Sequence, residues 1–451
     1  MPRLLVRRLL VGLLLGALLR AVLLPFPGTP DVEVQKAWAF AGAEDVTALY
    51  GVGGTPTERG MIIWRDLVAV TAYPPVALYW MAGVGVVYGA LFPDSPDSSL
   101  FTALTKIPAL VSELALIFTL LVWGRRLMGD TAAVWAVLAV WLNPAVIING
   151  PALGYLDSAM AMPAAMALLA TGLGRPGLAG VLLAIGVFTK PQPLVVGPVV
   201  LAAVIWYGRE RWRSGLARFV LGGAVTAAVV VLPYVLRGAW WNMLQALSRL
   251  GEHDMVSGYG LNVWWIVTWV VRSAYAAGEV GVATAVTAPV EILGVGRLVE
   301  LGFPNVKPIG TVLVLATIGW ALWRARRGLP LAGAAFLAGW AMLAYFTLAV
   351  QVHENHLYLA VPLLVLAGGL DARYRSACWA VSIAAAFNMF IFYGIGNGLE
   401  PRTLRQITGV DLTVIAAAIN VGIFAWLTWR MGTEPFSTDP TGMGTEPPAR
   451  R

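Results

Sequence analysis

The chain alternates between long apolar stretches and short polar links. Most of the stretches hold roughly 16–22 residues, about the length of an α-helix that crosses ~30 Å of hydrocarbon. Because lipid cannot satisfy exposed backbone groups, each stretch must be helical. We predict twelve membrane spans, at about 9–26, 103–123, 131–147, 157–173, 177–189, 192–207, 217–235, 308–323, 331–350, 357–370, 377–395 and 411–429. The pattern therefore predicts an all-α polytopic membrane protein.

Arginine clusters in the short links indicate the orientation of these spans. Cytoplasmic links of membrane proteins are enriched in Lys and Arg. With twelve spans, the Arg-rich links all fall on one side, together with both termini; they contain Arg125 and Arg126, Arg175, Arg209 to Arg213, Arg324 to Arg327, and Arg373 and Arg375. The second span then runs from outside to inside. The apolar stretch 75–92 must therefore lie along the interface instead of crossing.

Two long segments interrupt the spans on the outer side. Residues 1–431 form one transmembrane domain, with outer segments at 27–100 and 236–306 that contain interfacial helices. Within the second segment, residues 261–276 allow a short or re-entrant span as an alternative. The Pro-rich tail 432–451 repeats a Met-Gly-Thr-Glu-Pro motif and is predicted to be disordered in the cytoplasm.

Composition supports the membrane assignment. Hydrophobic residues make up 59% of the chain and charged residues only 12%, about half the share in soluble domains. The net charge of +7 follows from the cytoplasmic arginines, so no nucleic-acid partner is expected. A single cysteine, Cys378, excludes disulfides within the chain and a Cys-based metal site.

The polar residues that carry candidate chemistry collect at the outer face. They lie in four stretches, Asp31 to Gln35, Gly154 to Ser158, Thr189 to Gln192, and His353 to His356. Ionisable groups near membrane depth are candidates for a functional site, although each stretch by itself is also compatible with ordinary headgroup contacts. Such a site suits an anionic lipid headgroup. Its cations would offset a phosphate, and a carboxylate would deprotonate an incoming hydroxyl.

These motifs resemble the GT-C superfamily of polyprenyl-phosphate-sugar-dependent glycosyltransferases, and most closely the dolichyl-phosphate-glucose-dependent glucosyltransferases of the N-glycan pathway. The family pattern D-x-E-x-Q-x-x-W is matched by Asp31, Glu33, Gln35 and Trp38, and Y-P-P-L-x-x-Y by Tyr73, Pro74, Pro75 and Tyr79 with Val76 in place of Leu. The pattern V-H-E-K is matched by Val352, His353 and Glu354, with Asn355 in place of Lys. Similar elements of the superfamily are matched by Ser257, Asn262, Trp264 and Trp265 in the second outer segment, and by Gly154 and Asp157.

The resemblance implies a GT-C-like bundle and a role for each matching residue. Asp31 would be the catalytic base of an inverting attack on C1 of the lipid-linked sugar. The donor phosphate and substrate would be bound by Lys190, His353, Glu354, His356 and Arg249. The substrate would be positioned by Glu33, Gln35, Trp38, Tyr73, Asp157, Asn262 and Trp264.

The expected partners follow from the same resemblance. They are a polyprenyl-phosphate hexose donor, an extracytoplasmic glycan or lipid-linked acceptor, and membrane lipid, with the protein a monomer in a prokaryotic plasma membrane and its site facing outside. No cofactor is expected. Oxygen ligands from Asp31, Glu33 and Asp157 leave a divalent metal as a less favoured alternative.

Two other functions compete with this hypothesis. A lipid or sugar transporter of similar span count would place charges near the midplane between related halves of the chain. We find no convincing internal repeat. An oligosaccharyltransferase-like enzyme would call for more acidic ligands in the first outer segment, and is less favoured.

Overall fold

A computed structural model describes residues 1–51, 61–207, 211–249, 252–326, 328–396, 409, 411–434 and 436. The first half of the chain forms helices α1 Arg3–Leu23, α2 Pro30–Asp45, α3 Pro75–Leu91, α4 Ser99–Thr105, α5 Ile107–Thr119, α6 Arg125–Trp141, α7 Pro144–Ile147, α8 Asp157–Gly172, α9 Pro176–Thr189, α10 Gly197–Tyr207 and α11 Trp212–Leu236. The second half forms α12 Trp240–Ser248, α13 Val263–Val280, α14 Val282–Thr287, α15 Val295–Glu300, α16 Val306–Ala325, α17 Leu331–Leu348, α18 Ala360–Leu370, α19 Arg375–Tyr393 and α20 Leu412–Thr433. Strands β1 Met61–Trp64 and β2 Leu67–Val70 pair as an antiparallel hairpin, with Met61 opposite Val70.

The described helices confirm an all-α multi-pass membrane protein. Six helical stretches are long and apolar enough to cross a membrane, namely Ile107–Trp141, Trp212–Leu236, Val306–Ala325, Leu331–Leu348, Ala372–Tyr393 and Leu412–Thr433. Shorter apolar helices lie at Pro75–Leu91, Pro176–Thr189, Gly197–Tyr207 and His356–Leu370. The total of twelve spans stays a prediction.

The longest of these stretches folds back on itself. The guanidinium of Arg20 donates both to the Glu113 carboxylate on α5, at 2.9 Å, and to the Trp141 carbonyl on α6, at 2.8 Å. A straight helix would separate positions 113 and 141 by about 40 Å. The reversal lies at Gly129, whose φ of 81° and ψ of 170° are essentially accessible only to glycine. The helical segments before and after Gly129 are therefore antiparallel, as the separately predicted spans 103–123 and 131–147 require.

Burial separates a central helix from peripheral ones. Fifteen of the eighteen residues of α17 are buried, whereas α11 buries only Gly215 and Tyr234. A helix that is apolar on all sides belongs either in a protein core or in lipid. We infer that α17 occupies the core of the bundle and that most of the surface of α11 faces lipid.

The first outer segment is built on α2 and α3, which pack side by side. Their contact is close at Gly85, where an added Cβ would lie 1.8 Å from the Ala39 carbonyl oxygen. Pro75 begins α3, as expected of proline in a first helical turn. That α3 lies along the membrane interface stays a prediction.

The second outer segment contains α12 to α15. Helix α13 spans the residues for which a short or re-entrant crossing was an alternative, but it is not among the helices that meet the length and hydropathy of a span. The predicted tail begins too early, because α20 continues through Gly432 to Thr433. The tail residues 437–451, with Arg209 and Arg327 of the predicted cytoplasmic links, lie outside the described residues.

Candidate functional site

Local hydrogen bonds fix the start of α2, which carries Asp31. The backbone N–H and hydroxyl of Thr29 donate to the Leu153 carbonyl, at 3.0 and 3.2 Å. One turn after Asp31, the amide of Gln35 donates to the Gly154 carbonyl at 2.8 Å. Pro30 supplies the fixed φ that suits the first helical turn. These contacts hold Asp31 beside the segment that leads into α8.

A buried ion pair forms the centre of the site. Lys190, at the C-terminal end of α9, places its Nζ 2.5 Å from Oδ1 of Asp157, the first residue of α8. The two side chains are only 6% and 1% exposed. The other carboxylate oxygen, Oδ2, accepts from the amides of Asn149 and Asn355, each at 2.8 Å. Asp157 is therefore fully engaged by three donors, and Asn355, which replaces the lysine of the family pattern, is one of them.

Lys190 remains protonated in this environment. Burial alone lowers the pKa of Lys190, but the neighbouring Asp157 and Tyr73 raise it, and the net change is upward. Its Nζ also lies 5.1 Å from the ring centroid of Tyr73 and 5.9 Å from that of Tyr155. The cation is thus enclosed by a carboxylate and two aromatic faces.

The Asp31 carboxylate is close to this pair but forms no hydrogen bond or ion pair with it. Burial raises the pKa of Asp31, while the charge of Lys190 opposes that change and the charge of Asp157 adds to it. Among the hydrogen bonds and ion pairs of the described residues, none involves the Asp31 side chain. A partly buried carboxylate with open lone pairs is the form that a general base requires.

Glu354 is a second buried carboxylate in the cluster. Its Oε1 accepts from the Tyr155 hydroxyl at 2.5 Å, and Asn388 donates to its backbone carbonyl at 2.6 Å. Burial, together with the charges of Asp31 and Asp157, raises the pKa of Glu354 to about 7 although the Tyr155 hydrogen bond lowers it. The second oxygen, Oε2, is buried, accepts no hydrogen bond from the described residues, and lies 4.0 Å from Nδ1 of His353.

The histidines lie beside the cluster without adding a full positive charge to it. Burial and the nearby charges of His253 and Lys190 lower the pKa of His353 to about 4, so its ring is neutral near pH 7. Both ring nitrogens of His356 are engaged, Nδ1 with the His353 backbone N–H at 3.4 Å and Nε2 with Gln192 at 3.2 Å. In this form the His353 ring is able to donate one neutral N–H to a ligand, and its role at a phosphate stays a prediction.

Aromatic side chains line the same region. The rings of Trp38 and Tyr73 lie 4.9 Å apart, and Trp38 is only 3% exposed. The Tyr73 carbonyl accepts from the Tyr50 hydroxyl at 2.6 Å, which holds this turn in place ahead of α3. Trp38, Tyr73 and Gln35 thus lie in the same region as the Asp31 cluster, and their role in positioning substrate stays a prediction.

Comparisons with known proteins add no family assignment. No family model matches the chain, and the comparison with curated proteins finds no match. The likeness to the GT-C superfamily therefore depends on the sequence motifs alone.

Glu33 does not join the cluster, although it belongs to the same motif as Asp31. Its side chain is 43% exposed and pairs with Lys36 at 2.7 Å, and Lys36 also pairs with Asp97. Successive residues turn by about 100° around a helix, so a residue two positions after Asp31 points to nearly the opposite face. The predicted role of Glu33 in positioning substrate is corrected on this ground.

Two predicted residues of the second outer segment serve the framework. The side-chain oxygen Oδ1 of Asn262 caps α13 by accepting from the N–H groups of Trp264 and Trp265, while its side-chain amide nitrogen donates to the Phe346 carbonyl at 2.8 Å. The Trp264 indole N–H donates to the Leu348 carbonyl at 2.7 Å. Their polar atoms are thus occupied, and they anchor α13 to the end of α17 instead of facing a ligand.

Arg249 also stands apart from the predicted phosphate site. It caps the end of α12, where it is partly buried, and the described contacts do not join it to Lys190 or to the histidines.

A cavity of about 510 Å³ lies in the same outer segment, between α13 and residues 285–301. It is lined by Trp269, Arg272 and Tyr275 among others, and shares no residue with the Asp31 cluster.

A buried network beside the cluster was not predicted from the sequence. Arg20 on α1 pairs with Glu113 on α5 at 2.8 Å, and the side chains are 2% and 0% exposed. Ser158 donates to Glu113 at 3.1 Å and bonds the Tyr358 hydroxyl at 2.6 Å. A signal was present, because Arg20 and Glu113 both interrupt predicted spans, where charged residues are rare.

The described residues contain no group of three or more His, Cys, Asp or Glu side chains placed to hold a metal ion. The Asp157 carboxylate is already engaged by Lys190 and two asparagine amides. That the protein needs no metal stays a prediction.

Proposed function

We propose that this protein is a membrane glycosyltransferase that moves a sugar, a hexose by the resemblance, from a polyprenyl-phosphate donor to a lipid-linked or other extracytoplasmic acceptor. One observation carries the proposal. Asp31, with open lone pairs, lies beside the buried Lys190–Asp157 pair, although these residues come from three separate parts of the chain. A free base next to a desolvated cation suits a reaction with a phosphate leaving group.

In the proposed reaction, Asp31 accepts the proton of the acceptor hydroxyl. The hydroxyl oxygen forms a bond to C1 of the sugar on the face opposite the phosphate, so the configuration inverts. The bond between C1 and the phosphate oxygen breaks, and the polyprenyl phosphate leaves with the electron pair. Lys190 stabilises the negative charge that collects on this leaving group. General base catalysis of this kind contributes about 10²- to 10⁴-fold.

The topology is part of the proposal. Lys106 donates to the carbonyls of Phe26, Pro151 and Ala152, at 2.7, 3.0 and 2.9 Å, so the end of α1, the start of α5 and the link before α8 meet at one end of the bundle. The site lies at that same end. We propose twelve spans in a prokaryotic plasma membrane, with the Arg-rich links and both termini inside and the site outside.

A transporter is the second candidate, because Arg20 and Glu113 form a charged pair within predicted spans. Their mutual pairing and further hydrogen bonds favour a structural role over a transport path. Flipping of a fluorescent polyprenyl-phosphate sugar across proteoliposome membranes, without sugar transfer, would support the transporter instead. We further propose a monomeric enzyme without a metal cofactor, and an EDTA titration of transfer activity tests the second point.

The decisive experiment measures sugar transfer by the purified protein in lipid nanodiscs. The donors are polyprenyl-phosphate hexoses, and the acceptors are lipid-linked glycans from a prokaryotic membrane extract. We expect Asp31→Asn to lower turnover at least 10²-fold. Glu44→Gln is the matched control, because Glu44 is an exposed carboxylate on the same helix. Normal turnover in Asp31→Asn would overturn the assignment of the base.

A further inference from the structure

Among the described residues, four buried oxygen atoms around the site lack hydrogen-bond partners. One is Oε1 of Gln192, which belongs to a half-buried side chain beside His356. The other three are Oε1 of Gln35, Oδ1 of Asn149 and Oε2 of Glu354. The three side chains are 3%, 0% and 3% exposed, so bulk water does not solvate these atoms freely. A buried acceptor without a donor is destabilising, and native proteins keep few of them. Their concentration here indicates a ligand.

The orientation of these oxygens is fixed by their neighbours. The Gln35 amide nitrogen donates to the Gly154 carbonyl, and the Asn149 amide nitrogen donates to the Asp157 carboxylate, each at 2.8 Å. Rotating either amide would turn an oxygen toward another oxygen. Glu354 is held in the same way by its bond to Tyr155. In Gln35 and Asn149 the unpaired atom is therefore an acceptor and not a misassigned donor, and Oε2 of Glu354 is an acceptor when the carboxyl is ionised.

The three residues surround the proposed reaction centre. Gln35 lies one helical turn after Asp31 and so on the same face of α2. Asn149 contacts Asp157 directly, and Glu354 immediately precedes Asn355, which contacts the same carboxylate. The open oxygens thus flank the groups to which we assign the proton transfer and the phosphate.

The chemistry of the ligand follows from the excess of acceptors. A phosphate diester presents oxygen acceptors, which would be repelled by these atoms. A sugar ring presents several hydroxyl donors, each able to satisfy one acceptor. The unpaired indole N–H of buried Trp38 would complement a hydroxyl oxygen on the same molecule.

We propose that Gln35, Asn149 and Glu354 determine sugar specificity by accepting hydrogen bonds from hydroxyl groups of the donor sugar. Glu354 makes the strongest of these contacts, because a hydrogen bond to a carboxylate is stronger than one to an amide oxygen. This inference rests on the proposed function. It also moves Glu354 from the phosphate, with which the sequence argument grouped it, to the sugar.

The test uses a donor series in which each hexose hydroxyl is replaced by hydrogen in turn. We expect the unaltered protein to lose about 10- to 100-fold in kcat/KM for at least one deoxy donor, because the deletion leaves a buried acceptor unpaired. In Glu354→Gln, one carboxylate oxygen becomes an amide donor while the Tyr155 contact is retained. The penalty for that deoxy donor should then shrink to about 3-fold or less, on the same physical ground.

Glu44→Gln, exposed on α2, is the matched control and should keep the full deoxy penalty. If Glu354→Gln does not fold, Gln35→Leu and Asn149→Leu provide the same comparison, each for the sugar hydroxyl that its side chain is proposed to bind. Transfer by the unaltered protein with the same deoxy penalty in all folded variants would overturn this inference. If the protein shows a thermal unfolding transition, and is therefore folded, but transfers sugar from none of the donors, the proposed function is wrong instead.

Discussion

Asp157 is the residue on which most of the site depends. It is buried, it neutralises Lys190, and it accepts from the amides of Asn149 and Asn355. We predict that Asp157→Asn lowers the free energy of unfolding by about 3–5 kcal/mol, because it leaves the Lys190 charge buried and unpaired. Thermal unfolding in detergent micelles measures the change.

The control for this prediction removes both charges. A variant that combines Asp157→Leu with Lys190→Met should recover part of the lost stability, since a buried ion pair is often replaceable by apolar side chains. Sugar transfer should remain absent in the double variant. If the double variant is no more stable than Asp157→Asn, the unpaired charge is not the cause of the loss.

Glu354 should make stability depend on pH. Its folded pKa of about 7 lies above the ordinary value of 4.5, so between these values the folded protein binds more protons than the unfolded chain. Stability contributed by this group is therefore lost as pH rises from about 4.5 to 7, by about 3 kcal/mol in total. Glu354→Gln does not titrate, so its stability should rise relative to the unaltered protein across that window. If the unfolding temperatures of the unaltered protein and of Glu354→Gln change by the same amount between pH 4.5 and 7.5, the prediction is wrong.

At the scale of the helices, close packing of α2 on α3 positions Asp31. Gly85 on α3 leaves no room for a side chain, since an added Cβ would lie 1.8 Å from the Ala39 carbonyl oxygen. We predict that Gly85→Ala separates the two helices and lowers both the unfolding temperature and transfer activity. The destabilisation should be about 1–3 kcal/mol, as for other overpacked contacts.

Gly83 provides the matched control on the same helix. A Cβ added there meets no atom within 4 Å. Gly83→Ala should be neutral or stabilising by up to about 1 kcal/mol, because alanine favours a helix more than glycine does. Equal losses in the two variants, measured by thermal unfolding, would show that helix propensity and not packing controls this pair.

Helix boundaries followed the sequence where apolar length decided them and departed from it where local chemistry intervened. The helix predicted at 192–207 begins at Gly197 instead, because residues Gln192–Val195, which include a proline, form a 3-10 turn ahead of it. The predicted span 103–123 is divided at Lys106, two residues before Pro108 in the first turn of α5. Such short turns depend on single prolines and on contacts with carbonyl groups. The average hydropathy of a long stretch does not reveal them, so helix ends are predicted less well than helices.

For the whole molecule, the twelve-span topology makes an accessibility prediction. The native Cys378 is fully buried, so an introduced cysteine is the group that reports labelling. Ser99→Cys, in the first outer segment, should react with a membrane-impermeant maleimide on intact cells. Ser214→Cys, beside the Arg-rich link, should react only after permeabilisation. Both positions are exposed, so burial does not confound the comparison. The reverse labelling pattern would invert the proposed orientation.

The sequence by itself determined the class of fold. Apolar stretches of spanning length leave a chain no alternative to helices in lipid, because every backbone group must be bonded internally. The order of its motifs also singled out Asp31, Asp157, Lys190 and Glu354 as candidates, since polar residues beside spans are few and costly.

Only the tertiary structure decided how those residues combine. Asp31 and Glu33 share a motif, but helix geometry sends them to different faces, and Glu33 pairs with Lys36 instead. Tyr155 meets Glu354 across 199 positions, and Arg20 meets Glu113 across 93. Contacts between residues so distant in the chain follow from how the helices pack, and packing depends on side-chain shapes along whole interfaces, which local pattern does not contain.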